Sequence, residues 1–200
     1  MKQKYFNFRG AGTIVFVNDP CTGAWLWERM IPIFDSLGYD AVAVNPADPE
    51  GRARLDAALA GENVAAVVAQ GAGGRFLTNL DKCRAFLIAP SDEALSPERW
   101  PEGRAKAEGC AYEDWRIIER RLNRSGEARL PAWSDAIGES CLCVCCAGDK
   151  VVSAEEQQLF AARHGIESVC ELNADHFPQF SRTYELSYLI HSALMDRSAR

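Results

Sequence analysis

Two rhythms of apolar residues alternate along the chain. Short runs of β-branched and small apolar residues predict strands over Thr13–Asn18, Asp40–Asn45, Val64–Ala69, Ala85–Ala89, Cys141–Cys146 and Ser168–Leu172. Between them, apolar positions three and four apart predict helices. The first spans Gly23–Leu37, with Leu26, Met30, Ile33, Phe34 and Leu37 on one stripe and Gly38 as its stop; Pro32 marks a first-turn break or a kink. Others are expected over Arg52–Leu59, from Arg75 to Lys82, over Ser153–His164 and over Phe180–Leu194. Ser153 and Glu156 form a capping-box pair at the start of the fourth. From residue 91 to 140 the chain turns polar and Pro-punctuated, helical only over Ala105–Leu122, which predicts an inserted cap. Strand and helix in alternation predict an α/β domain, residues 1–200, with a mostly parallel sheet covered on both faces. No repeat, linker or low-complexity segment interrupts it.

Composition narrows the function. The 200 residues are 48% hydrophobic and 25% charged with net charge -6, too apolar and too weakly charged for disorder. The longest uncharged apolar stretches fall short of the roughly 20 residues that a bilayer requires, so no membrane span is expected. The opening Met1–Gly10 lacks the pattern of a secretory signal. A pI near 5.2 and the lack of a Lys/Arg stripe argue against nucleic acid. Eight cysteines, four of them in Cys141–Cys146, make no disulfide framework and fit a reducing cytoplasm. Their C-x-C-x-C spacing on a strand is not that of a zinc site; buried packing is preferred and no metal is expected.

Ligands of an open α/β sheet bind beyond the carboxyl ends of its strands. Those ends carry Asn18-Asp19-Pro20-Cys21, Gln70-Gly71-Ala72-Gly73-Gly74, Ser91, Gly148-Asp149-Lys150 and Ala174-Asp175-His176. A strand followed at once by Gln70-Gly71-Ala72-Gly73-Gly74 has the strand–turn–helix context of a nucleophile elbow, and elbow, Asp and His follow in triad order.

The stretch Val17-Asn-Asp-Pro-Cys-Thr-Gly-Ala-Trp-Leu-Trp27 resembles the V-H-G-A-C-H-G-A-W-x-W of the plant methylesterase and hydroxynitrile lyase branch of the α/β-hydrolase superfamily. Ile31-Pro32-Ile33 through Gly38-Tyr39, Gly148-Asp149-Lys150 and Ala174-Asp175-His176 are similar to later motifs of that branch, so the resemblance runs from about residue 13 to 195. It implies an α/β-hydrolase fold, a small and fairly apolar ligand under the cap, and a homodimer. It places Asp149 and His176 on the acid and base positions.

Two parts of the implied esterase machinery are missing. Gly71 stands at the nucleophile position and has no oxygen to attack a carbonyl. Pro20 stands where the resemblance implies an oxyanion-binding N–H, and Asp19 sets a carboxylate beside it. Asn18, Pro20, Gln70 and Ala72 are the expected oxyanion and pocket positions. Asp19 reads either as an acid/base group or as an Asx-turn residue, and the Asp149–His176 pair either as orienter and base or as an inherited loop clasp. Cys21, His164 and His191 read as structural.

Three functions stay open. The favoured one is cofactor-free, non-acyl chemistry on a small organic substrate (lyase, isomerase, cyclase or water addition), with His176 as base, Asp149 as its orienter and Asp19 as a second acid/base group. The alternatives are a non-catalytic protein that binds a small ligand or partner, and an esterase silenced by a Ser→Gly exchange at position 71 or left with water activated by His176.

Overall fold

The computed structural model describes residues 10–78, 80, 83–92, 109–122 and 130–196. A single six-stranded sheet runs in the order β2-β1-β3-β4-β5-β6, and every adjacent pair is parallel. The strands are β1 (Thr13–Val17), β2 (Asp40–Val44), β3 (Val64–Gln70), β4 (Arg84–Ile88), β5 (Cys141–Cys146) and β6 (Ser168–Leu172). The sheet agrees with the sequence expectation to within a residue or two at each end.

Side chains alternate across the pleat, so each central strand feeds two apolar layers. Val15, Val67, Ala69, Leu87, Cys143 and Cys145 pack on one face with Leu55, Leu59, Phe76 and Phe160. Ile14, Phe16, Val68, Phe86, Val144 and Cys146 pack on the other beneath Trp27, Phe34, Trp115, Ile118, Leu186 and Ile190. The strand cysteines therefore sit in both layers as small apolar side chains, and Cys143 Sγ lies 3.7 Å from Cys145 Sγ. Edge strands β2 and β6 keep exposed positions in their patterns, as strands with one open side do.

The helices are α1 (Ile31–Ser36), α2 (Gly51–Leu59), α3 (Tyr112–Arg121), α4 (Ile137–Ser140), α5 (Ala154–Arg163), α6 (Pro178–Ser181) and α7 (Thr183–Met195). Three expectations are corrected. The helix expected over Gly23–Leu37 is a 3₁₀ turn at Ala24–Trp27 followed by α1, with Pro32 in its first turn, where a missing N–H costs no hydrogen bond. The helix expected from Arg75 to Lys82 is instead a 3₁₀ segment, Gly71–Phe76, that ends in extended Leu77; three glycines in six residues remove most of its helix propensity. Residues 79, 81 and 82 of that expectation lie outside the described set. The helix expected over Phe180–Leu194 divides at Arg182, whose φ of -141° breaks the run between α6 and α7.

Of the expected cap, 93–108 and 123–129 lie outside the described residues. Within the rest, helix begins at Tyr112, after a turn through Gly109 and Cys110. Trp115 and Ile118 fasten α3 to the core. Among the described residues no helix is long and apolar enough to cross a membrane.

Helix α5 starts on the capping box read from the sequence: the Glu156 N–H donates to Ser153 Oγ, and the Ser153 N–H donates to the Glu156 carboxylate at 2.8 Å. Ser153→Ala is expected to lower stability by about 1 kcal/mol, read as a shift in the urea midpoint at unchanged slope.

Candidate active site

The sheet order reverses at β1, which sits between β2 and β3, so the topological switch point lies between the ends of β1 and β3. Asp19 follows β1 by two residues and Gly71 follows β3 directly. Loops after β5 and β6 bring Asp149 and His176 to the same end of the sheet. All four positions are buried, Asp19 and His176 with 1% exposure each.

Asp19 forms an Asx-type turn, and it also bridges two loops. Its Oδ1 accepts the Cys21 N–H at 2.9 Å, and its Oδ2 accepts the Ala72 N–H at 3.0 Å across the switch point. Ala72 is the residue after the elbow, and its N–H is a donor that an acyl-transfer site would aim at an oxyanion. Here a carboxylate of the protein takes that hydrogen bond. Gly71 has φ +53°, and a Cβ built on it would lie 2.5 Å from Asp19 Oδ2. Asp19 thus fills the space into which a side chain at 71 would project. Glycine is required there on two counts, the left-handed backbone and the close carboxylate.

The imidazole of His176 is fixed by Asp149, with Nδ1 donating to Oδ2 at 2.7 Å. Asp149 is itself held from three other directions. Its Oδ1 accepts the N–H groups of Val151 and Val152 at 2.7 and 3.0 Å, and its Oδ2 accepts Gln157 Nε2 at 3.2 Å. Gln157, fully buried on α5, also donates to Val152 O and accepts the Cys146 N–H. On the other side of the ring, Gln70 Nε2 donates to the His176 carbonyl at 2.6 Å, and Gln179 Nε2 donates to Gln70 Oε1 at 3.2 Å.

Charge around the ring follows from these contacts. Burial alone would lower the His176 pKa, but the charge and hydrogen bond of Asp149, with Asp19 and Asp175 behind them, raise it overall and favour the imidazolium. Burial raises the Asp19 pKa against the opposing pull of the Cys21 and Ala72 N–H groups and of His176. A raised folded-state pKa means that the folded chain holds the proton more tightly than the unfolded one. The His176 contribution to stability is therefore complete below its ordinary value of 6.5 and is lost as pH rises through the folded-state value. Asp19 acts with the same sign from its ordinary 3.8 upward. Urea midpoints are expected to fall as pH rises above neutrality in the parent protein, and to fall less in His176→Gln. Parallel slopes for the two proteins would refute this assignment.

Of the residues singled out in the sequence, Asp19, Gly71, Ala72, Asp149 and His176 come together. Asn18 turns its amide elsewhere, donating to Asp19 O and to Asn45 Oδ1 at the end of β2. Gln70 faces the His176 carbonyl. Pro20 is buried in the turn closed by the Thr22 N–H to Asp19 O bond, and it has no N–H to offer. His164 pairs with Asp92 and His191 with Tyr39, both outside this cluster. Gln157 and Gln179 were missed. The spacing of Gln157 to Phe160 and Ala161 on α5 put it on the buried stripe, and that was a readable signal.

No protein-family profile matches the chain, and no curated protein matches it either. Solved structures do. Polyneuridine aldehyde esterase superposes with a TM-score of 0.69 at 19% identity, covering 94% of this chain and 99% of that one. Methylesterase MES16 from Arabidopsis gives 0.71 at 17% identity, covering 92% and 99%. Tomato methylketone synthase I complexed with beta-ketoheptanoate gives 0.70 at 13% identity, covering 94% and 98%. Together with the parallel sheet and the cluster at its switch point, these likenesses establish that the chain has the α/β-hydrolase fold.

Proposed function

We propose that this protein carries out cofactor-free, non-acyl chemistry on a small organic substrate, with proton transfer between Asp19 and His176 and with Asp149 as the group that orients the imidazole. The observation that carries this reading is the Asp19 carboxylate itself, held on the Ala72 N–H in the space a nucleophilic side chain at 71 would use. A developing oxyanion would meet an existing anion there, which disfavours ester hydrolysis. A desolvated Asp19 carboxyl and an imidazole oriented by Asp149 are instead a ready acid/base pair. The raised His176 pKa adds a proton-donor role to the base role expected from sequence. A structural neighbour named as a synthase, not an esterase, supports non-ester chemistry on this fold.

The test is conversion of a panel of small neutral ketones, enones and epoxides, followed by NMR, with p-nitrophenyl acetate as the ester control. The expected result is conversion of at least one non-ester probe, reduced roughly 10²- to 10⁴-fold by His176→Ala, with the ester untouched. His176-dependent ester turnover would overturn the reading. A non-catalytic binder is the second reading, supported by the way Asp19 already satisfies the donors of the site. It predicts retained probes with no product in either protein.

A further inference from the structure

We propose that the outer face of α7 is a docking surface for a second copy of this chain, the two helices lying antiparallel across a two-fold axis. Nothing in it depends on the chemistry at the strand ends. Among the described residues, the three most exposed large apolar side chains all belong to this one helix: Tyr184, Tyr188 and Met195, at 77%, 73% and 63% exposure. At 3.6 residues per turn, positions 184, 188, 191 and 195 fall within about 60° of one another, so half-buried His191 completes a single stripe. No Asp, Glu, Lys or Arg stands on that stripe. The opposite side of α7 is already occupied. Leu186 and Ile190 are fully buried in the core, and Leu189, Ala193 and Leu194 pack against it. A helix apolar on both sides, in a chain with 25% charged residues, has the composition of a helix covered on both sides.

The spacing of the stripe selects the occupant. Its steps are four, three and four residues, a pattern that reads the same in either direction. Laid antiparallel against itself, the stripe brings Tyr184 to Met195 of the second copy and Tyr188 to His191, and the reverse. Each tyrosine ring thereby meets a thioether or another ring, both favourable contacts. His191 is already oriented for this by Tyr39, whose hydroxyl lies 3.2 Å from His191 Nδ1 and whose ring meets the imidazole edge-on.

The area sets the strength. At roughly 150 Å² buried per tyrosine, the four tyrosines of a pair supply about 600 Å². Met195, His191 and the flanking helix surface bring the total towards the roughly 1,200 Å² at the lower limit of specific interfaces. That area corresponds to a weak dimer with Kd on the order of 10 µM. Glu185 and Asp196 line one flank of the stripe, and the two-fold sets Glu185 of each copy near Asp196 of the other. These like charges oppose association, so salt is expected to strengthen it, whereas a basic partner would be released by salt.

The experiment is sedimentation velocity on the full chain from about 1 to 200 µM. The average mass is expected to rise from one chain towards two, and to do so at lower protein concentration in about 0.5 M salt than in about 0.05 M. Tyr188→Glu is expected to raise Kd at least roughly 100-fold, whereas Leu159→Glu, at an exposed apolar position on α5, leaves it unchanged. Both positions face solvent, and circular dichroism checks that each variant is folded. Register is read by disulfide trapping with diamide and peptide mass spectrometry. A mixture of Tyr184→Cys and Met195→Cys proteins is expected to cross-link at those positions, and neither alone, because like positions would stand about 16 Å apart along the helix axis. A single-chain mass at every concentration would overturn the proposal. So would a dimer that Tyr188→Glu leaves intact, association weakened by salt, or cross-linking of Tyr184→Cys with itself.

Discussion

Gly71→Ser alone is expected to leave the protein without ester turnover and about 2–6 kcal/mol less stable than its parent. The residue has φ +53°, where a side chain carries strain of roughly 1–3 kcal/mol. The added Cβ would stand 2.5 Å from Asp19 Oδ2, so the carboxylate must leave the Ala72 N–H, and crowding of this kind costs about 1–3 kcal/mol more. The hydroxyl would gain a base in His176 but no free oxyanion site. Asp19→Gly combined with Gly71→Ser removes the obstructing carboxylate. It is expected to recover stability relative to the single serine variant and to give weak p-nitrophenyl acetate turnover. Pro20 still withholds one donor, which keeps that rate roughly 10²- to 10³-fold below a complete site. Urea unfolding and a p-nitrophenyl acetate assay of the parent and the two variants decide the matter. Brisk His176-dependent turnover by the single serine variant would show that Asp19 moves aside freely, against the interlock described above.

Asp149→Ala is expected to cost about 3–5 kcal/mol and to abolish His176-dependent chemistry. Four donors converge on this carboxylate, namely the N–H groups of Val151 and Val152, the Gln157 amide and the His176 ring. Removing it strands buried donors and takes away the largest of the influences that raise the His176 pKa. Asp149→Asn separates the two effects. It keeps an acceptor for the Val N–H groups but places an amide N–H where Oδ2 accepted both the His176 ring and Gln157 Nε2, so activity falls further than stability. The checks are the urea midpoint and the rate on any non-ester substrate found; equal losses in both quantities for the Asn variant would argue that the pair is only a clasp.

Much of this architecture was legible in residue pattern, because the signals are local. Val64–Ala69 reads as a buried strand from its unbroken apolar run, Ser153 and Glu156 mark the start of α5, and Pro32 places a break where the first helix is divided. The 3₁₀ segment at Gly71–Phe76 is less legible, because its glycines signal a turn while the residues from Arg75 onward suggest a helix. The cluster of Asp19, Asp149 and His176 followed from strand ends and a family resemblance. The contact that defines the site did not. Asp19 Oδ2 reaches Ala72 across 53 positions of chain, and no local propensity encodes which of two loops a carboxylate will bridge. The same holds for Gln70, whose position before the elbow suggested a pocket role while its amide clamps the His176 carbonyl.

The order of the strands has a consequence for how the site comes into being. Residues 19, 71, 149 and 176 meet only at the ends of β1, β3, β5 and β6, and every pairing that brings them together is parallel and remote in sequence. Long loops must close before any such pairing is rewarded, so the cluster belongs to the late stages of assembly and not to a locally nucleated part. A chain severed at the exposed turn around Gly61 would leave Asp19 on one fragment and Gly71, Asp149 and His176 on the other. Neither piece holds the whole site, and activity would reappear only as the two fragments reassociate into the whole sheet.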